Sequence, residues 1–114
     1  SPAMCLLHLG PGLANGLTNL HNARRAFTPI LVVIGEHATW HLSADPLLAT
    51  EIEAVARNVS EYVKRNEGTL TIASDLGEAI AASMEKGGRI ATLIVPHDFQ
   101  IADADGKTLE RRAL

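Results

Sequence analysis

The sequence predicts an α/β fold of three layers, with helices on both faces of a parallel sheet of about four strands. Three observations predict it. Short, almost wholly apolar runs recur along the 114-residue chain, as strands buried on both faces do. Stretches with apolar residues three and four apart lie between them. The connections are short and carry glycine or proline, so the order β-α-β-α-β-α-β calls for right-handed crossovers.

Ala3 to Leu9 is apolar except for His8, which gives a strand over 3–9 buried on both faces. Gly10-Pro11-Gly12 breaks it. Leu13, Leu17, Leu20, Ala23 and Arg24 then place a helix over 12–26. Thr28-Pro29 ends that helix, because proline disfavours the α region in the residue before it. Ile30 to Ile34 forms the second strand, 30–35, closed by Gly35. Glu36 to Asp45 reads as a loop. Asp45-Pro46 resembles an N-cap with proline at the first helical position, and Leu48, Ile52, Val55 and Ala56 stripe a helix over 46–57. Val59, Glu61 and Val63 alternate with Ser60, Tyr62 and Lys64, a short edge strand over 59–64. Asn66 to Gly68 is a turn. Ser74-Asp75 caps a helix over 74–86, with Leu76, Ile80, Ala81 and Met84 inward, and Gly87-Gly88 ends it. Arg89 to Val95 is the last buried strand, 89–95, and Pro96 stops it. Residues 1–99 thus form one domain. Residues 100–114 read as a linker or tail, with a short helix at Lys107 to Ala113.

Composition narrows the function. Aromatics make up 4% of the chain, so Leu, Ile, Val and Ala must fill the core that the 46% apolar content allows. Net charge is −3, and Arg24-Arg25 and Arg111-Arg112 are isolated pairs, so no nucleic-acid partner is expected. The single cysteine, Cys5, excludes an intramolecular disulfide and fits a reducing, cytoplasmic setting. Ile30 to Ile34 is too short to cross a membrane, so no membrane partner is expected, and Ser1-Pro2 has no basic stretch of a signal peptide before it.

Gly10-Pro11-Gly12 stands where a strand meets a helix. Free N–H groups and the positive end of a helix dipole favour anions or polar ligand atoms there, although a plain tight turn has the same sequence. The spacing is neither G-x-G-x-x-G nor a lysine-bearing phosphate loop. His8 and Glu36 lie near the C-terminal ends of parallel strands, outside which ligands bind in open α/β sheets. They either face one cleft or serve as a core histidine and a solvated loop residue. His37 and His41 are four apart, a zinc spacing only on a helix, and here the segment reads as loop. There is no G-x-S-x-G elbow, and Cys5 falls inside a strand, which disfavours a reactive thiolate. His21 is expected at the surface of the first helix or at a subunit contact.

On these residues the chain resembles the pyrimidine-binding domain of thiamine-diphosphate-dependent enzymes, in particular the large subunit of acetolactate synthase and its relatives, which include benzoylformate decarboxylase-like enzymes. The resemblance rests on Leu6-Leu7-His8-Leu9-Gly10-Pro11-Gly12-Leu13-Ala14-Asn15-Gly16 and Leu20-His21-Asn22-Ala23-Arg24-Arg25-Ala26. It continues through Thr28-Pro29-Ile30 to Gly35, then Asp45-Pro46-Leu47 and Ala91-Thr92-Leu93-Ile94-Val95-Pro96. It covers residues 3–99 and the second half of that domain only. The family's glutamate that binds the aminopyrimidine ring belongs to the first half, and its Mg²⁺-diphosphate motif belongs to another domain.

The resemblance implies a fragment of a 2-oxo acid decarboxylase or carboligase, with thiamine diphosphate and Mg²⁺ in the parent family and neither expected to bind this chain alone. It implies cleft-lining or cofactor-side roles for His8, Gly10, Pro11, Gly12, Asn15, Glu36 and His37, and no catalytic residue or metal ligand among them. His8 stands where acetolactate synthases usually have a hydroxyl residue, and Glu36 where they often have glutamine. Both departures point to another 2-oxo acid or acyl acceptor. It also implies that 89–95 lies beside 30–35 with 59–64 outside it. The chain is expected to need the parent enzyme's other domains and to form a dimer or larger assembly, burying 3–9 or the first helix. A stand-alone flavodoxin-like binding or interaction module is the alternative.

Overall fold

The four parallel strands take the order β1 (Ala3–His8), β2 (Ile30–Glu36), β4 (Ile90–Pro96), β3 (Tyr62–Arg65). The computed structural model describes residues 1–42, 44–45 and 50–102. Ala3 pairs with Ile30 and His8 with Gly35, Ile30 with Ile90 and Glu36 with Pro96, so three strands end level with one another. The last strand lies beside the second with β3 outside it, as the resemblance implies.

Helix α1 (Leu9–Arg25) and the short α3 (Ile52–Ala56) pack on one face of the sheet. Leu13, Leu20, Ile52 and Ala56 meet Val32, Ile34, Ile90 and Ile94 there in the larger core cluster. Helix α4 (Ile72–Ser83) covers the other face, setting Ala79 on Leu31 and Ala91. Three layers result. The inward stripe of α4 is Asp75, Ala79 and Ser83, one residue per turn, with Leu76 and Ile80 flanking it. Small residues at the contact let the helix approach the sheet closely, and Ala81 and Met84 are only half-buried.

Several sequence expectations are corrected. The first strand is not buried on both faces: α1 packs under Leu7, while Met4 and Leu6 on the other face are 68% and 72% exposed. Cys5 is half-buried. The first helix begins at Leu9, so Gly10-Pro11-Gly12 forms its first turn and is no loop. Proline is tolerated there because its missing N–H would have no intrahelical acceptor. The corner falls on Leu9 itself, at φ +59.

The 36–45 stretch is not all loop. Glu36 closes β2, and residues Thr39–Leu42 form the one-turn helix α2. Asp45 is left-handed at φ +49, and its N–H donates to the Leu42 carbonyl at 3.1 Å; the first turn it is expected to cap lies outside the described residues. The described helix starts at Ile52, and residues 46–49 of the expected 46–57 helix lie outside the described residues. The edge strand is Tyr62–Arg65, because Val59 and Ser60 turn inward and the Ser60 hydroxyl donates to Ile90 O at 2.9 Å. Ser74-Asp75 is not the cap of α4. A 3₁₀ turn over Thr69–Thr71 leads in, and Asp75 accepts a hydrogen bond from Asn66 Nδ2 at 2.8 Å inside the protein. The helix stops at Ser83, followed by a 3₁₀ turn over Glu85–Gly87. After Pro96 the chain forms α5 (His97–Ile101), so residues 100 and 101 are helix and not linker. The helix expected over 107–113 lies outside the described residues.

Candidate functional site

The C-terminal ends of β1, β2 and β4 open into a cleft of about 400 Å³. Four of the chain's five histidines line it: His8 ends β1, His37 follows β2, His41 lies on α2 and His97 begins α5. Ligand sites of open parallel sheets lie at this end. Leu9, Gly35 and Ala38 add an apolar wall, and Trp40 borders it, stacked on His41 with centroids 5.5 Å apart.

Glu36 is the buried polar centre of this end of the sheet, at 3% exposure. The alternation that points Val32 and Ile34 into the core carries Glu36 to the same face. Its Oε1 accepts the His37 backbone N–H at 2.8 Å and lies 3.0 Å from His37 Nδ1. Its Oε2 accepts a hydrogen bond from Arg65 Nη2 at 3.3 Å. Arg65 Nε in turn donates to Glu53 Oε1 on α3. That bond, with burial opposing it, holds the Glu53 carboxyl below its usual range and raises the guanidinium. The triad ties β2, β3 and α3 together beneath the cleft.

The rim is set by contacts distant in sequence. Asp98 of α5 accepts the Thr39 backbone N–H at 3.0 Å and the Thr39 hydroxyl at 2.6 Å. These bonds hold its carboxyl below the usual range and fix the start of α2. Gln100 Nε2 donates to Val95 O at 2.8 Å, tying α5 to β4. The His37 and His41 rings meet edge to face, 5.5 Å between centroids.

Of the residues singled out by sequence, the structure brings His8, Glu36 and His37 to this cleft. Gly10, Pro11, Gly12 and Asn15 lie along α1 and do not line it. Gly10 is buried against α3's approach, where a Cβ would sit 2.2 Å from Thr50 Oγ1. Gly12 lies near Leu7 and the His8 side chain, while Pro11 and Asn15 are exposed. His21 is exposed on α1. Sequence reasoning missed His97, Gln100 and Arg65. His97 follows the last predicted strand as closely as His37 follows the second, so the same strand-end rule applies to it. Nothing local marks Arg65. Among the described residues no three His, Cys, Asp or Glu side chains group as a metal site. No described helix is long and apolar enough to cross a membrane.

A parallel sheet with helices on both faces and a cleft at its strand ends has the layout of α/β domains whose ligands bind at that end. The family model for the thiamine pyrophosphate enzyme, N-terminal TPP binding domain, matches residues 1–61, and the chain belongs to that family. It is 56% identical over 102 residues to "Putative acetolactate synthase large subunit IlvX" of Mycobacterium tuberculosis (strain ATCC 25618 / H37Rv). That match covers 90% of this chain and 20% of the relative, so the chain spans about a fifth of the relative's length. The fold matches "a putative thiamin diphosphate-dependent enzyme" from Mycobacterium smegmatis with TM-score 0.91 and benzoylformate decarboxylase from Polynucleobacter necessarius with TM-score 0.88. Both are 22% identical, with all of this chain covered and 22% of the other, and show likeness of fold alone.

Proposed function

We propose that the chain forms the pyrimidine side of the cofactor cleft in a thiamine-diphosphate-dependent enzyme that decarboxylates or joins 2-oxo acids, working together with further domains. The observation that carries this reading is the meeting of His8, the Glu36–His37 pair and His97 at the ends of β1, β2 and β4, in a chain of this family. The apolar wall of Leu9, Gly35 and Ala38 suits the flat face of an aromatic ring, and the imidazoles supply hydrogen-bonding groups at its edge. Nothing comparable among the described residues suits Mg²⁺ and a diphosphate, and we assign that end of the cofactor to another domain. When bound, the cofactor supplies the electron sink for carbanion chemistry. The residues of this chain orient it, exclude water from one side and hold polar groups at fixed positions.

Calorimetry tests the division of labour. The chain alone is expected to give no heat with thiamine diphosphate and Mg²⁺ at micromolar concentrations. Added to a family enzyme from which the corresponding segment has been deleted, it is expected to restore Mg²⁺-dependent binding and turnover of pyruvate or benzoylformate. Tight Mg²⁺-dependent binding to the chain alone, or failure to complement, would overturn the proposal.

A further inference from the structure

We infer that His37 is a proton-transfer residue of this cleft and that Glu36 is its positioning residue, an inference that rests on the functional reading above. Glu36 is 3% exposed, and both its oxygens are engaged, Oε1 by the His37 N–H and ring and Oε2 by Arg65. An ionised carboxylate only accepts hydrogen bonds, so the ring nitrogen facing it, Nδ1, carries the proton. The neutral imidazole then presents Nε2 as its acceptor. Nε2 has no hydrogen-bond partner among the described residues, and the side chain, 12% exposed, lines the cleft. A lone pair is thus held at the cleft by a carboxylate behind it, the arrangement that makes a histidine an effective base.

The charges around the pair fit the task. Glu36, Arg65 and Glu53 together carry a net charge of −1, two carboxylates against one guanidinium. When a ligand X–H gives its proton to Nε2, the bonding pair stays on X and His37 becomes an imidazolium beside Glu36. The group of four is then neutral. The reverse step returns the proton to X from Nε2. Among the described residues, His41 of α2 meets the His37 ring, and the other titratable side chains lining the cleft are His8 of β1 and His97 of α5. Asp98 is engaged by Thr39 and does not compete for the ring. A backbone staple would need only the bond from the His37 N–H to Glu36; the second bond at Nδ1 is what fixes the ring.

Two readouts on the full chain do not depend on the family reaction. Long-range ¹H–¹⁵N correlation of the histidine rings is expected to show neutral His37 protonated at Nδ1, unlike exposed His21. Acylation of Nε2 by diethyl pyrocarbonate, followed by peptide mass, is expected to slow about tenfold at His37 in Glu36→Gln and to stay unchanged at His21. An Nε2–H tautomer, or acylation indifferent to the Glu36 change, would overturn the inference. In the complemented enzyme, His37→Asn keeps a donor toward Glu36 but has no Nε2. The rate constant kcat is expected to fall about 10²–10⁴-fold, with KM little changed and one limb of the pH–rate profile lost. An unchanged kcat would also overturn the inference. Should the unaltered assembly turn over neither acid, the functional reading fails, while ring state and acylation still decide the pairing of Glu36 with His37.

Discussion

Arg65 serves two carboxylates with very different surroundings. Glu53 is part-exposed, whereas the Glu36 side chain is 1% exposed and has no other cation within reach among the described residues. Removing the guanidinium strands a buried charge, which costs far more than losing a surface pair. Arg65→Met is therefore expected to destabilise the chain by about 2–4 kcal/mol in urea unfolding. Arg24→Met, which breaks a pair half-exposed on both sides, should cost about 0.5 kcal/mol or less. The Glu53 carboxyl is held below its ordinary 4.5 chiefly by Arg65, so the folded chain binds that proton less readily than the unfolded one. Its contribution is complete above about pH 4.5 and is lost as pH falls through the lower, folded value. In Arg65→Met the stability curve should flatten below pH 4.5. At the alkaline end, burial and the hydrogen bond to Glu78 push the Tyr62 phenol up to about 12. The folded chain holds that proton more tightly, so the contribution is full below pH 10 and fades between 10 and about 12. Tyr62 is the one tyrosine, so absorbance at 295 nm reports it alone. A midpoint at the ordinary value in the folded chain would contradict the contact.

Among the elements, the turn from α4 into β4 is the most demanding of its sequence. Lys86, Gly87 and Gly88 are left-handed in succession, at φ +48, +85 and +140. A Cβ at Gly88 would lie 2.0 Å from the Phe27 carbonyl oxygen, which is backbone and cannot swing away, whereas at Gly87 it would meet open space. Gly87→Ala should cost about 1 kcal/mol from dihedral strain alone, and Gly88→Ala more than about 3 kcal/mol or the fold itself. Equal effects would show that the two loops are not in contact. Gly87-Gly88 was legible as the turn into β4, because glycine takes left-handed angles without strain, although α4 itself ends earlier, at Ser83. The start of α2 was not. Its Thr39 is fixed by Asp98, a partner 59 residues away that no local pattern reveals. The corner at Leu9 was hidden for a related reason. Sequence assigns the bend to glycine, but burial of the Leu9 side chain, 4% exposed, holds a leucine in the strained position. The cleft was legible wherever strand ends were, at His8, Glu36 and His37. Arg65 reaches Glu36 from another strand, through pairing order and not through spacing.

At the scale of the whole molecule, the sheet has two outer strands of opposite character. β3 is four residues long and carries Lys64 and Arg65, with Lys64 bridging Asp75 and Glu78. Short, charged strands resist pairing with another chain. β1 is six residues long, bears no charged side chain other than a titratable His8, and exposes Met4 and Leu6. We expect self-association through β1, seen as a sedimenting species of about twice 12.1 kDa at tens of micromolar. Leu6→Lys should return the monomer with its circular dichroism intact, since Leu6 is 72% exposed and outside the core. A monomeric unaltered chain would refute the expectation.

The inequality of those two edges also fixes how such an assembly must be built. If both were open, β1 of one copy could meet β3 of the next, a head-to-tail contact that repeats without limit and ends in a fibre. With β3 guarded by its cations, the open edge that a second copy offers to β1 is its own β1. Like surface on like surface requires a twofold axis, and a twofold contact uses up both copies of the strand at once. Growth then stops at a closed pair, and the charges on one edge set the symmetry of a contact made at the other.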